Sequence, residues 1–199
     1  MGMDETYVKD RLYQALQQYD CFNTQEISDR SVMLKYMECF DDIYERSNTF
    51  AHMTSSPWIV NKTRDKVLMI FHNIYRSWGW CGGHCDGDKD TIAVALREGM
   101  EETGLIQLKL IHKKILAIDI LPVPPHVKRG SFVSAHVHLN VTYLCEADEE
   151  MTLCSKPDEN SGVAWIPIDK INEYVSEEDM KVVYEKLIQK AKKVEAHLR

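Results

Sequence analysis

Apolar positions in the first quarter of the chain recur at helical spacing. Tyr7, Leu12, Leu16 and Tyr19 form one run, and Val32, Tyr36, Phe40, Ile43 and Tyr44 form another. Two helices are expected over roughly 4–47, separated at Asn23-Thr24, with Ser28 or Asp29 capping the second. The period then shortens. Trp58-Ile59-Val60 and the run from Val67 to Phe71 flank a polar turn over 61–66, which is the pattern of a hairpin. A glycine-rich loop over 79–87 leads into a helix over roughly 90–103, which Gly104 is placed to end. Two strands are expected next, over 109–120 and 132–145, joined by a loop containing Pro122, Pro124, Pro125 and Gly130. In the second, Val133, Ala135, Val137, Leu139 and Val141 alternate with Ser134, His136, His138, Asn140 and Thr142, so one face is polar. A further strand surrounds Val163 to Ile166, and the chain from Pro167 onward is helical, with Val182, Val183, Leu187 and Ile188 on one side. This order predicts an α/β fold, a mixed sheet between helical layers. It divides into a helical extension over 1–49 and a main domain over 50–199.

Composition narrows the function classes. The chain has 199 residues, 44% of them hydrophobic, enough for a core without disulfides or structural metal. A net charge of −7 speaks against binding a nucleic-acid polymer, which needs clustered Lys and Arg, but leaves a small phosphorylated substrate open. No run of about 18 apolar residues is present, so no membrane span is expected. Met1 to Asp10 is polar and acidic, unlike a signal peptide, so a cytoplasmic, reducing location is expected. The six cysteines are scattered and read as free thiols. Cys81, His84 and Cys85 lie close together, but a zinc site of that kind wants a second ligand pair, and none is visible at similar spacing. They are read as incidental loop residues.

The chemistry concentrates in Gly82 to Leu105. At about 100° per residue, Glu98, Glu101 and Glu102 share one helix face, with Ile92, Leu96, Met100 and Thr103 on the other. Like charges this close need compensation. Arg97 stands four residues before Glu101, and a hard cation such as Mg²⁺ prefers carboxylate oxygens. A solvated acidic face would show the same charges, so spacing must decide. Gly83, Arg97, Glu98, Glu101, Glu102, Gly104 and Leu105 fall in register with the signature of the Nudix family. A chance Arg-Glu-x-x-Glu-Glu-x-Gly is on the order of one in ten thousand for a chain of this length. The chain therefore resembles that family, and residues 50 to 170 resemble a whole Nudix domain, including Gly82-Gly83 and Trp165-Ile166-Pro167-Ile168.

The resemblance implies an α/β/α sandwich and a Mg²⁺-dependent hydrolase, with Mn²⁺ as a substitute, cleaving a diphosphate bond in a nucleoside diphosphate derivative or related metabolite. Glu98, Glu101, Glu102 and a late-loop Glu159, with Asp158 as its rival, would be metal ligands or bases, and Arg97 would hold the glutamates. Gly82 and Gly83 would admit substrate closely. Trp78, Arg129, His136 and His138 are candidate substrate contacts. A homodimer is expected by resemblance alone. Two positions depart from the pattern. Lys89 stands where the family has Glu, with Asp86, Asp88 or Asp90 as stand-ins, and Gly99 replaces a bulky aliphatic residue, implying a lost core contact. Two other readings keep the fold. Cys81-Gly82-Gly83-His84 loosely resembles the loop of isopentenyl-diphosphate isomerases, with the Cys shifted by one. Lys89 instead favours a module that binds nucleotide without turnover, its first 50 residues serving as a partner-binding arm.

Overall fold

The computed structural model describes residues 11–128 and 130–198; Tyr7 and Arg129 lie outside the described residues. Its helices are α1 (Arg11–Gln17), α2 (Thr24–Cys39), α3 (Thr91–Thr103), α4 (Ile171–Tyr174) and α5 (Glu178–Leu198). Its strands are β1 (Ala51–Val60), β2 (Lys66–His72), β3 (Ser77–Gly79), β4 (Gly83–His84), β5 (Lys109–Leu110), β6 (Ala117–Val123), β7 (His126–Lys128), β8 (Ser131–Val133), β9 (His136–Glu146) and β10 (Asn160–Pro167). Asn23 caps α2, its Oδ1 accepting from Glu26 N at 2.9 Å, so the helix starts one turn before the expected Ser28 or Asp29. It ends at Cys39, and Ile43 and Tyr44 reach the core from turns rather than from a continued helix.

β1 is buried along its whole length and pairs in parallel with β9, from Ala51↔Val137 to Val60↔Glu146. Its other edge takes β4, with Thr54↔His84 and Ser55↔Gly83, and the hairpin to β2 through Val60↔Val67. β10 and β3 pair with β2, and β5 and β6 with β9, giving a mixed sheet; β7 and β8 form a separate ribbon. Each of the two long strands expected from the sequence is broken. His112 Nδ1 accepts from Lys114 N at 2.8 Å in a turn between β5 and β6, and Ser134-Ala135 leave the ladder between β8 and β9.

Strand alternation sends Met53, Leu139, Val141 and Tyr143 to one face, against Leu12, Leu16, Met33, Val94 and Ala95. Trp58, Val60 and Leu144 face the other way, against Tyr184, Leu187 and Ala191 of α5. The first two helices thus share their core with the sheet and α3. Buried charges tie the same parts together: Lys190 pairs with Glu26 at 2.7 Å and Lys186 with Asp119 at 2.6 Å. Removing one member of such a pair strands a buried charge.

Gly99 corrects one expectation. The position is not an emptied core contact, because a Cβ there would lie 2.8 Å from Pro57 Cγ and 2.9 Å from Leu108 Cδ2. Those side chains fill the space, and the glycine lets α3 settle close on β1. Gly99→Leu is therefore expected to destabilise the protein by about 1–3 kcal/mol through overpacking, despite about 1 kcal/mol gained in helix propensity. Urea denaturation measures the sign, and a stabilised variant would mean the position is under-filled.

Candidate active site

Two local features bring the carboxylates together. The first is α3, capped by Asp90 accepting from Ala93 N at 3.1 Å and ended by Gly104 at φ 74. The second is the Gly82-Gly83 turn that runs past it. Gly82 N donates to Glu102 Oε2 at 3.1 Å. A Cβ on Gly82 would stand 2.1 Å from Ser56 Oγ, and one on Gly83 2.3 Å from the Glu98 carboxylate. Only glycine permits this approach. Glu102 is left 5% exposed and the Glu98 side chain 15% exposed, while Glu101 stands at the outer edge.

The 154–160 loop completes the cluster. Cys154 N donates to Thr103 O at 2.8 Å, and Asn160 Nδ2 to Glu102 O at 2.9 Å, so the loop is fastened to the end of α3. This puts Lys156 Nζ 3.4 Å from Glu101 and 3.1 Å from Glu159. Asp158, the rival to Glu159, is exposed. Burial pushes the Glu102 carboxyl up to about 8, with the charges of Glu159 and Glu98 adding to it and the Gly82 N–H and Lys156 opposing. Glu98 is raised by burial and by Glu101 and Glu159, against Arg97 and Lys156.

Arg97 is arranged differently from the expected pairing with Glu101. Helical side chains lean toward the N-terminus, and its guanidinium sits 3.3 Å from Asp88 and 3.6 Å from Glu98. The three candidate stand-ins for the missing glutamate are engaged elsewhere: Asp86 with Arg46 at 2.5 Å, Asp88 with Arg97, and Asp90 in the cap. Lys89 Nζ lies 5.9 Å from the centre of the Tyr44 ring. Cys81 is fully buried, and burial together with nearby Glu102 holds its thiol well above the ordinary range.

The other candidates separate into groups. Trp78 packs edge-on against Phe71 and Tyr174, with ring centres 5.7 and 6.4 Å away. His136 and His138 join His52 and His84. Burial first, then the neighbouring imidazoles, lower His138 to about 2, and burial lowers His52. His52 and Lys156 are not among the candidates the sequence offers, and His84 enters there only beside Cys81 and Cys85 and in the isomerase-like loop. The alternation His52, Thr54, Ser56 on β1, parallel to His138, Asn140, Thr142 on β9, was a legible signal for the first; Lys156 has none in its spacing.

Glu98 and Glu102 offer oxygen donors beside Gly82-Gly83 and are raised first by burial and then by neighbouring carboxylates, while Glu101 and Glu159 stand farther out beside Lys156. A hard divalent cation relieves that confinement, so Glu98, Glu102, Glu101 and Glu159 fit Mg²⁺ or Mn²⁺ by donor chemistry.

A mixed sheet between helical layers, with an acidic helix seated on a glycine turn, is the architecture of a Nudix-type domain. Residues 53–189 match the profile of the NUDIX domain, and the chain belongs to that family. Over 122 residues it is 32% identical to the m7GpppN-mRNA hydrolase NUDT17 of Xenopus laevis, a stretch covering 58% of this chain and 39% of that protein. The chain thus spans well under half the length of this curated relative. The fold is shared with the Ap4A hydrolase of C. elegans (TM-score 0.53, 17% identity, 73% of this chain and 98% of that one). It is also shared with the Nudix hydrolase RenU of M. smegmatis (TM-score 0.52, 14% identity, 75% and 89% covered).

Because the Glu102 carboxyl rises from the ordinary value of 4.5 to about 8, the folded protein binds the extra proton across that window. Its contribution to stability is full below the unfolded value and is lost as pH rises through about 8. In metal-free buffer, Glu102→Gln should therefore gain melting temperature relative to wild type between about pH 5 and about pH 8. A difference that stays constant across that range contradicts the assignment.

Proposed function

We propose that the chain is a hydrolase of a diphosphate linkage in a nucleoside diphosphate derivative, acting with Mg²⁺ or, in its place, Mn²⁺. The observation that carries this reading is the pair of carboxylates, Glu98 and Glu102, packed against a glycine turn that a single Cβ would displace. Membership of the NUDIX family and likeness to an mRNA-cap hydrolase support it.

Glu98 and Glu102 would hold the cation, with Glu101 and Glu159 supplying further oxygens at its outer side. When bound, a divalent cation neutralises phosphate charge and acidifies a coordinated water. The chain's own residues do the rest. Arg97 holds Glu98 from the side of Asp88, and the Gly82 N–H fixes one oxygen of Glu102. A carboxylate of this group that the cation leaves free, Glu159 or Glu101, would accept the proton of an attacking water. Lys156 keeps Glu101 and Glu159 from repelling an incoming anion. His136 and His138, first weighed as substrate contacts, stand in a separate imidazole group. No helix of the described residues is long and apolar enough to cross a membrane. The unpaired thiols suit a reducing, cytoplasmic setting.

The test is a panel of m7GpppN, Ap4A, ADP-ribose, nucleotide sugars and nucleoside triphosphates with Mg²⁺ or Mn²⁺, following release of nucleoside monophosphate and phosphate. At least one compound is expected to turn over, and Glu98→Gln and Glu102→Gln each to lower kcat/KM by about 100-fold or more. Tight nucleotide binding with no product from any member would overturn the hydrolase reading in favour of a binding module.

A further inference from the structure

Four of the chain's eight histidines converge on one face of the sheet. His52 on β1 lies directly opposite His138 on β9, and His136 precedes His138 by two residues, which returns it to the same face. His84 on β4 is paired with Thr54, two residues after His52 on β1, so it also points to that face. One ring nitrogen from each of the four lies within 4.8 Å of those of the other three, and they are the group of this kind found among the described residues. Ring centres of His52 stand 4.9, 5.1 and 5.2 Å from those of His84, His136 and His138.

Two hydrogen bonds fix which nitrogens face inward. His52 Nδ1 is 2.9 Å from Asn48 O, and His136 Nδ1 is 2.9 Å from Ser134 O. A carbonyl oxygen only accepts, so Nδ1 carries the proton in each ring and Nε2 keeps its lone pair. This is how metal-ligating imidazoles are ordinarily oriented, with the far nitrogen bonded to a backbone carbonyl. His52 Nε2 is buried and has no hydrogen-bond partner among the described residues. An inward lone pair left unmatched in a buried site is costly. His136 Nε2 lies 3.3 Å from His138 Nε2. One imidazole donates to the other there, and a bound ion would take the place of the proton they share.

We propose that His52, His84, His136 and His138 form a binding site for a borderline transition-metal ion, Zn²⁺ foremost, separate from the oxygen-donor cluster on α3. Imidazole donors suit Zn²⁺, Co²⁺, Ni²⁺ and Cu²⁺ and give Mg²⁺ nothing it prefers. The ion would join three neighbouring strands, β1, β4 and β9. His84 adjoins Gly83, whose α-carbon backs the Glu98 carboxylate, so the bound ion would also hold the glycine turn in place.

The test uses the full chain without a polyhistidine tag, stripped of metal with a chelator, then loaded with Zn²⁺ and desalted. Elemental analysis is expected to find about one zinc per chain, retained by a Glu98→Gln/Glu102→Gln double variant. The His136→Ala and His84→Ala single variants, each checked for cooperative melting, should bind Zn²⁺ more weakly by at least the roughly 10–100-fold that losing an outer-shell partner costs. Co²⁺ in place of Zn²⁺ should give the visible absorption of a tetrahedral nitrogen site, absent from both histidine variants. Zinc that stays with the histidine variants, zinc lost from the glutamate variant alone, or no zinc retained by the wild type would each overturn the proposal. None of these outcomes bears on phosphate release with Mg²⁺, so the two readings fail separately.

Discussion

The parallel pairing of β1 with β9, with β4 laid on the far edge of β1, is the constraint on which both ligand sets depend. Successive residues of a strand face opposite sides of the sheet. In the two residues of β4, Gly83 therefore turns toward α3 and Glu98, while His84 turns toward His52 and His138. One short strand borders an oxygen-donor cluster on one face and a nitrogen-donor cluster on the other. Its position is set by Ser55 and Thr54, which are buried and bonded across the sheet: Ser55 Oγ to Thr91 O at the start of α3, and Thr54 Oγ1 to Asn140 Oδ1 on β9. A shift of one residue in this register would exchange the two faces.

The acidic cluster is electrostatically unfavourable by itself. Glu102 is buried beside Glu98 and within the field of Glu159, and the result is a carboxyl that favours its proton. Lys156 relieves the outer pair, Glu101 and Glu159, and Arg97 relieves Glu98, but the oxygens nearest Gly82 receive a single backbone N–H. Fold stability does not require such an arrangement, since an apolar residue at 102 would pack there without a charge. Carboxylates confined in this way mark a candidate functional site, and a divalent cation is the partner proposed for them.

Much of the frame was readable from residue order. The hairpin after Pro57, the helix ended by Gly104 and the polar face of the strand through His138 follow from periodicity and from glycine chemistry, which are local properties. Four things were not readable, and each has a non-local cause. Gly99 looked like a deficit because the sequence does not reveal that Pro57 and Leu108 press on it from β1 and the loop after α3. Arg97 turned to Asp88 rather than Glu101 because side-chain direction along the helix outweighs spacing. The first helices pack into the same core as the sheet, a fact of tertiary assembly. His84 appeared as a loop residue beside two cysteines, and its companions at 52, 136 and 138 come together only through strand pairing.

Placing the two donor sets on opposite faces has a consequence for selectivity. Divalent ions of the first transition series bind almost any site more tightly in the order that runs up to copper, with zinc just past it, so carboxylates cannot reject Zn²⁺ by affinity alone. What the α3 face can do is withhold nitrogen and sulfur. Cys81 is buried behind it with its thiol held protonated, and the four imidazoles point away through the sheet. Had His84 stood at position 83, a nitrogen would have entered the carboxylate cluster and the glycine turn would have lost its approach to Glu98. The order Gly83-His84 thus separates hard from borderline donors by a single peptide, and the alternation of a strand is the physical device that keeps them apart.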